Sequence, residues 1–376
     1  MLNVIILGIT SFLTDISSEM VYPLIPLFLM TRLGASPAIV GLIEGVAESL
    51  ASILKVFSGY ISDKIGKRKP LAIAGYASST LGKVFLVFAT GWGWVFLGRT
   101  SDRFGKGIRT APRDALIAET VDNNKMGTGY GLHRAMDTLG ACLGVILAYY
   151  FLTSYKGDYT AVFMYSLIPA VLGVIVLFFA KESPIKKKIS KKLSFSWKVL
   201  DKKLKMFLIV ILIFALGNSS NQFLLLRAKN VGFNDSTVIL LYLVYNVIYM
   251  LFSYPLGRLS DKIGRKKLLI TGYFIYGLVY LGFALFGFES AMWALFSVYG
   301  LYIAFTEGVE KALVADIAPE NVKATLIGLH ATFTGIGLLP ASLIAGLLWD
   351  KIGVQAPFYF GSIMGFLASI GLAIVL

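Results

Sequence analysis

Long apolar runs, separated by brief polar interruptions, recur from end to end of this 376-residue chain. About 20 consecutive apolar residues make one membrane crossing. Twelve such spans can be drawn, at approximately 3–30, 37–59, 70–91, 93–117, 127–152, 159–181, 205–229, 234–257, 267–287, 291–315, 323–347 and 353–376. The runs are continuous rather than alternating, which predicts helices and disfavours a β-barrel. Most connections are a few residues, such as Thr90–Gly93 and Gly287–Ser290. The exception, 182–204, divides the chain into a bundle of six helices at 1–181, a linker, and a second bundle of six at 205–376. The expected fold class is therefore an all-α polytopic membrane protein.

Composition agrees. The chain is 57% hydrophobic and only 15% charged, where a soluble domain carries about 25% charge. Its net charge of +14 does not point to nucleic acid, because the cations cluster in short loops. One set of loops holds Lys64, Lys67, Arg68, Lys69, the lysines of the linker, and Arg258, Lys262, Arg265, Lys266 and Lys267. The opposite set holds little beyond Arg32, Lys156, Lys229 and Lys351. Cationic loops stay in the cytoplasm, so both termini and the linker are expected there, with the spans crossing the cell membrane. In the linker, Leu193, Phe195, Trp197 and Leu200 alternate with lysines, which suits a helix on an anionic leaflet or a solvated basic tether. The lone Cys142 excludes a disulfide within the chain. The first span has no cleavable-signal pattern and is read as retained.

The two halves are repeats. "ALIAE" (Ala115–Glu119) and "ALVAD" (Ala312–Asp316) are 197 residues apart, as are the "GLH" strings that hold the only histidines, His133 and His330. Asp63 and Asp261 are 198 apart. Each aspartate sits in a glycine-bracketed basic loop, Gly59–Lys69 between spans 2 and 3 and Gly257–Lys267 between spans 8 and 9. On these residues the chain resembles the major facilitator superfamily of secondary transporters along essentially its whole length. The family's signature loop is matched by Gly59, Asp63, Lys64, Gly66, Lys67, Arg68 and Lys69, and again by Gly257, Asp261, Lys262, Gly264, Arg265, Lys266 and Lys267. The resemblance implies twelve helices in two six-helix repeats and a latch on the cytoplasmic side. Arg109 and Arg113, at the inner end of span 4, are the partners expected for Asp63.

Span 4, "RTSDRFGKGIRTAPRDALIAE" from Arg99, is similar to the family's second motif, with Asp102 and Arg103 in place of its Gln-Gly and with Gly105 and Gly107 displaced. Span 5 resembles the glycine-rich motif of the family's antiporters through Gly131, Gly140 and Gly144, with Ala141 where that motif has proline.

Charges inside spans cost about 2.5–3.5 kcal/mol each by insertion scales, so they face a cavity or one another. Asp15 and Glu19 share a face of span 1; Glu44, Glu48 and Lys55 share a face of span 2; Lys83 is in span 3. In span 4, Arg99, Asp102, Arg103, Lys106, Arg109 and Arg113 step by three or four residues, a single helical stripe. Span 5 adds Arg134 and Asp137; the second half has Asn218 and Gln222 in span 7, Asn246 with Tyr242 and Tyr249 in span 8, and Glu307, Glu310 and Lys311 in span 10. The resemblance implies that spans 1, 4, 7 and 10 line a central cavity.

Asp15, Glu19, Glu48 and Glu307 are the candidate proton-coupling groups, the alternative being a static ion network. Arg99, Asp102, Arg103, Lys106, Asn218, Gln222 and Glu310 are the candidate cavity residues. The histidines are read as packing or capping groups. No cluster has metal-site spacing and no phosphate-binding glycine loop occurs, so neither metal, cofactor nor ATP is expected. The expected function is a monomeric transporter in the lipid bilayer, moving a small organic molecule outward against protons. The alternative is a proton symporter importing an organic anion, suggested by the basic stripe of span 4. An enzyme is not expected, because no constellation of reactive side chains accompanies the spans.

Overall fold

The turn residues punctuate the chain where the apolar runs stop. In the computed structural model, which describes residues 2–121, 126–182, 200, 202–317 and 323–375, fourteen helices follow one another: α1 (Leu2–Val21), α2 (Ile25–Thr31), α3 (Pro37–Ile65), α4 (Lys69–Val87), α5 (Trp92–Thr120), α6 (Met126–Ser154), α7 (Tyr159–Leu177), α8 (Lys202–Gly217), α9 (Gln222–Val231), α10 (Asp235–Ile263), α11 (Arg265–Leu285), α12 (Glu289–Ile317), α13 (Lys323–Lys351) and α14 (Ala356–Val375). Asp158 and Asn234 cap α7 and α10 by accepting the Thr160 and Thr237 N–H groups.

Two spans drawn as continuous are broken. Pro23 and Pro26 remove backbone donors from span 1, and Tyr22–Leu24 tighten into a 3-10 turn between α1 and α2. Span 7 breaks at Gly217–Asn221, between α8 and α9, where Asn218, Ser219, Ser220 and Asn221 compete with the helix for backbone hydrogen bonds. The breaks lie 197 residues apart. Ten helical stretches among the described residues are long and apolar enough to cross a membrane. The other two long helices, α3 and α5, are each 29 residues long and carry most of the charges noted above.

The chain forms two compact units, Met1–Gly34 with Val46–Lys192, and Ala35–Gly45 with Leu193–Leu376. In the first, α1 packs on α6 and α7, and α4 packs on α5 and α7. In the second, α8 packs on α13 and α14, and α11 packs on α12 and α14, the same scheme one repeat later. The opening turns of α3 cluster with the second unit, where the Ala38 N–H donates to Asp350 at 3.1 Å.

Glycine sets the closest approaches. A Cβ on Gly105 would lie 2.2 Å from the Gly75 carbonyl, and one on Gly82 would lie 2.5 Å from that of Gly98. The α4 and α5 backbones therefore touch, while Gly107 meets Ala51 and Leu54 of α3. In α6, Gly140 and Gly144 press on the Phe12 and Ile16 carbonyls of α1, whereas Gly131 faces open space. The linker residues Leu193, Phe195 and Trp197 lie outside the described residues; Leu200 is buried.

Candidate functional site

The stripe on α5 is buried by that close α4–α5 contact and becomes an ion network. Lys83 of α4 lies 3.4 Å from Asp102, whose other oxygen is 3.4 Å from Arg99. Glu48 of α3 binds the Arg103 Nε at 2.8 Å and stands 3.8 Å from Arg99. The Tyr22 ring, in the break of span 1, lies 5.3 Å from the Arg99 guanidinium and 5.8 Å from that of Arg103. Being uncharged, Tyr22 was not a sequence candidate, but a cation over an aromatic face is attracted by the ring's quadrupole.

Further along α5, the arginines expected at the gate turn to other partners. Arg109 lies over the Tyr76 ring at 4.4 Å and donates to the Ser79 hydroxyl. Arg113 donates to Asp114 at 2.8 Å and to the Ser11 hydroxyl at 3.1 Å. Lys106 is exposed. On α1, Asp15 and Glu19 are half-buried. Asp15 has no ion pair among the described residues; the charges that act on it are Asp137, Lys106, Arg109 and Glu19.

The expected partnership of Asp63 with Arg109 and Arg113 is corrected. Arg68, five residues on in the same loop, pairs with Asp63 at 2.5 Å, and also with Glu119 at 3.1 Å and the Ser62 hydroxyl at 2.8 Å. The loop folds back on itself because Gly66 takes φ +73°, a left-handed conformation that glycine adopts without strain. Glu182 then caps α4, accepting the Arg68 and Lys69 N–H groups at 2.8 and 3.0 Å. In the second copy, with Gly264 at φ +96°, Arg265 bridges Asp261 and Asp316 and donates to the Ala312 carbonyl. Each signature arginine thus meets the acid that ends "ALIAE" or "ALVAD". The signal lay in the repeat itself, since Glu119 and Asp316 stand 197 residues apart, as do Arg68 and Arg265. A Cβ on Gly59 would lie 3.3 Å from that of Ala111, one on Gly257 would meet nothing within 4 Å, and Lys64 is exposed.

In the second unit the candidates sit around the α8–α9 break and on α12. Asn218 is half-buried, and Gln222 is fully buried with neither amide atom hydrogen-bonded among the described residues. Asn221, which was not a candidate, accepts from Tyr299 at 2.6 Å and donates to Tyr245 at 3.3 Å. Glu307 accepts from Tyr249 at 2.6 Å. Glu310 accepts from Tyr273 at 2.8 Å and lies 2.6 Å from His330 Nε2, so this histidine does more than pack.

The Major Facilitator Superfamily model matches residues 7–227 and 206–376. The chain is 40% identical to the MFS-type transporter MJ1317 of Methanocaldococcus jannaschii, covering 98% of this chain and 93% of that protein. It is 25% identical to the multi-drug resistance efflux pump PmrA of Streptococcus pneumoniae, over 94% and 90% of the two chains. The solved nucleoside transporter NupG superposes with a TM-score of 0.84 over the whole of both chains at 14% identity, a likeness of fold. Repeated bundles, paired signature loops and full-length relatives agree: the chain is a multi-pass membrane transporter of the major facilitator superfamily, and it resembles that family's efflux branch.

Proposed function

We propose that this transporter is a monomeric, proton-coupled exporter of small organic molecules in the cell membrane, with both termini cytoplasmic. The observation that carries this reading is the contrast between Asp15 and the α5 stripe. Arg99, Asp102, Arg103 and Glu48 are consumed by one another, which fits the static network weighed for them. Asp15 lies half-buried on a membrane helix with no such partner among the described residues, and a carboxylate so placed can bind and release a proton. Full-length likeness to an efflux pump supports the outward direction. The rival reading, import of an organic anion, needs free cations on α5; Arg99, Arg103 and Arg109 are engaged there, which leaves the exposed Lys106.

The test uses purified protein in liposomes, with ethidium as the probe. A proton gradient should drive ethidium opposite to proton flow, and Asp15→Asn should abolish that drive while Glu48→Gln lowers stability instead. Co-movement of probe and protons, or full coupling in Asp15→Asn, Glu19→Gln and Glu307→Gln alike, would overturn the reading.

A further inference from the structure

The repeat places the same trio of positions in both units. Tyr76, Arg113 and His133 in the first correspond, 197 residues on, to Tyr273, Glu310 and His330 in the second. In the first unit Arg113 turns to Asp114 and Ser11, while His133 Nδ1 sits 3.5 Å from Asp137 of its own helix. In the second, a carboxylate replaces the arginine and the three groups join. Glu310 of α12 meets His330 Nε2 of α13 through Oε1 at 2.6 Å, and accepts from the Tyr273 hydroxyl of α11 through Oε2 at 2.8 Å. Both carboxylate oxygens are therefore held from neighbouring helices. Phe214 of α8 stacks on Tyr273 with ring centres 3.8 Å apart and planes 4° from parallel, so the phenol is held in place.

We propose that Glu310, His330 and Tyr273 form a proton-binding site in the second unit, loaded and emptied once per transport cycle. The proposal rests on the proton-coupled reading above and adds a second carrier to Asp15. The proton balance is simple. Neutral imidazole beside ionised carboxylate carries one negative charge. One proton added along the Nε2–Oε1 line brings the pair to zero, as imidazolium with carboxylate or imidazole with carboxylic acid. Tyr273 keeps its proton and donates in both states. Loading therefore changes the charge of a largely buried group, and a bare charge inside a membrane protein is costly. That difference is what lets one proton bias a conformational equilibrium.

The surroundings leave the pair to itself. On α12 the described neighbours are Tyr302 and Glu307, the latter bonded to Tyr249 of α10; the Lys311 side chain lies outside the described residues. On α11 the titratable and charged groups besides Tyr273 are Tyr276, whose hydroxyl donates to the Gly217 carbonyl, Tyr280, Arg265, which is held by Asp261 and Asp316, and Lys266 and Lys267 beside it in the first turn. The lysines of α8 stand in its first turn, and α14 carries no charged residue or histidine. In the first unit the arginine supplies a permanent charge at the position that Glu310 takes in the second, so the two halves differ there.

Infrared titration of the protein in liposomes tests this directly, by the carbonyl stretch of a protonated carboxyl group and the ring bands of an imidazolium, one of which must appear on loading. Part of one of these bands should titrate with pH in the unaltered protein and be lost or moved in Glu310→Gln. Its midpoint should move in His330→Gln and in Tyr273→Phe. An unchanged band in Glu310→Gln overturns the site. If Glu310→Gln does not fold, Glu310→Asp and His330→Gln decide, and an unmoved midpoint in both overturns it. Ethidium transport under an imposed proton gradient separates the two levels. Gradient-driven transport surviving in Glu310→Gln sinks this inference and leaves the export reading standing. A titrating Glu310 in a protein whose ethidium movement ignores the gradient sinks the export reading and leaves the site.

Discussion

Around α4 and α5 the first unit buries ions; around α11 and α12, at the same repeat positions, the second buries phenols. Lys83, Asp102 and Glu48 correspond to Tyr280, Tyr299 and Tyr245, and Ser79 and Gly105 to Tyr276 and Tyr302. The ion network of Lys83, Asp102, Arg99, Arg103 and Glu48 becomes a lattice of rings, with Tyr276 4.1 Å from Tyr280 and 4.9 Å from Tyr302 by centroid. The Tyr299 hydroxyl goes to Asn221 and that of Tyr276 to the Gly217 carbonyl in the broken helix. A phenol fills volume and makes one hydrogen bond without desolvating a charge. An ion pair must recover a desolvation cost of several kcal/mol per ion through near-ideal partners. One helical scaffold accepts either solution, but the two differ in what breaks them.

The widest gap is expected between Asp102 and its counterpart. Asp102→Ala strips the acid from Lys83 and Arg99, and leaving buried charges uncompensated costs about 3–5 kcal/mol. Tyr299→Phe keeps the ring and loses one hydrogen bond, worth about 1 kcal/mol. Thermal unfolding of both variants in detergent checks this, and equal losses would erase the distinction between ionic and phenolic cores. A narrower gap separates two glycines. Gly105→Ala pushes a methyl to 2.2 Å from the Gly75 carbonyl, for which overpacking costs about 1–3 kcal/mol. Gly308→Ala on α12 meets nothing within 4 Å and should stabilise its helix by about 0.5–1 kcal/mol. Opposite signs in the same melting assay are the expected result.

Much of this was legible in the residues. Span number, repeat and family follow from run length, the 197-residue offset and two signature loops, all of them local patterns. Both breaks were readable in the residues, one in Pro23 and Pro26 and the other in the polar run Asn218–Asn221. Pairing is where the chain alone misleads. Arg109 and Arg113 looked like partners for Asp63 because they share its end of the bundle. They were lost to Tyr76, Ser79, Asp114 and Ser11, uncharged or adjacent groups that a search for opposite charges passes over. His330 was undervalued for a related reason: its carboxylate is on another helix, and only packing brings α12 to α13.

The smallest gap lies between the two signature arginines, and it asks whether the two loops are one device repeated. Arg68 has a side chain only 9% exposed, and its acids Asp63 and Glu119 are 47% and 24% exposed. Arg265 is 28% exposed, and Asp261 and Asp316 are 65% and 54% exposed. Charge-assisted hydrogen bonds from a buried group are worth about 1.5–3 kcal/mol in total effect, whereas exposed ion pairs give about 0.2–1 kcal/mol. Arg68→Ala should therefore destabilise more than Arg265→Ala, by roughly 1 kcal/mol in melting experiments. Salt sharpens the difference, because exposed charges are screened over about 8–10 Å at moderate ionic strength and buried ones are not. Raising the salt should shrink the Arg265→Ala effect toward zero and leave most of the Arg68→Ala effect. If both fade together, the first loop is solvated like the second, and the asymmetry between the units belongs to the membrane helices alone.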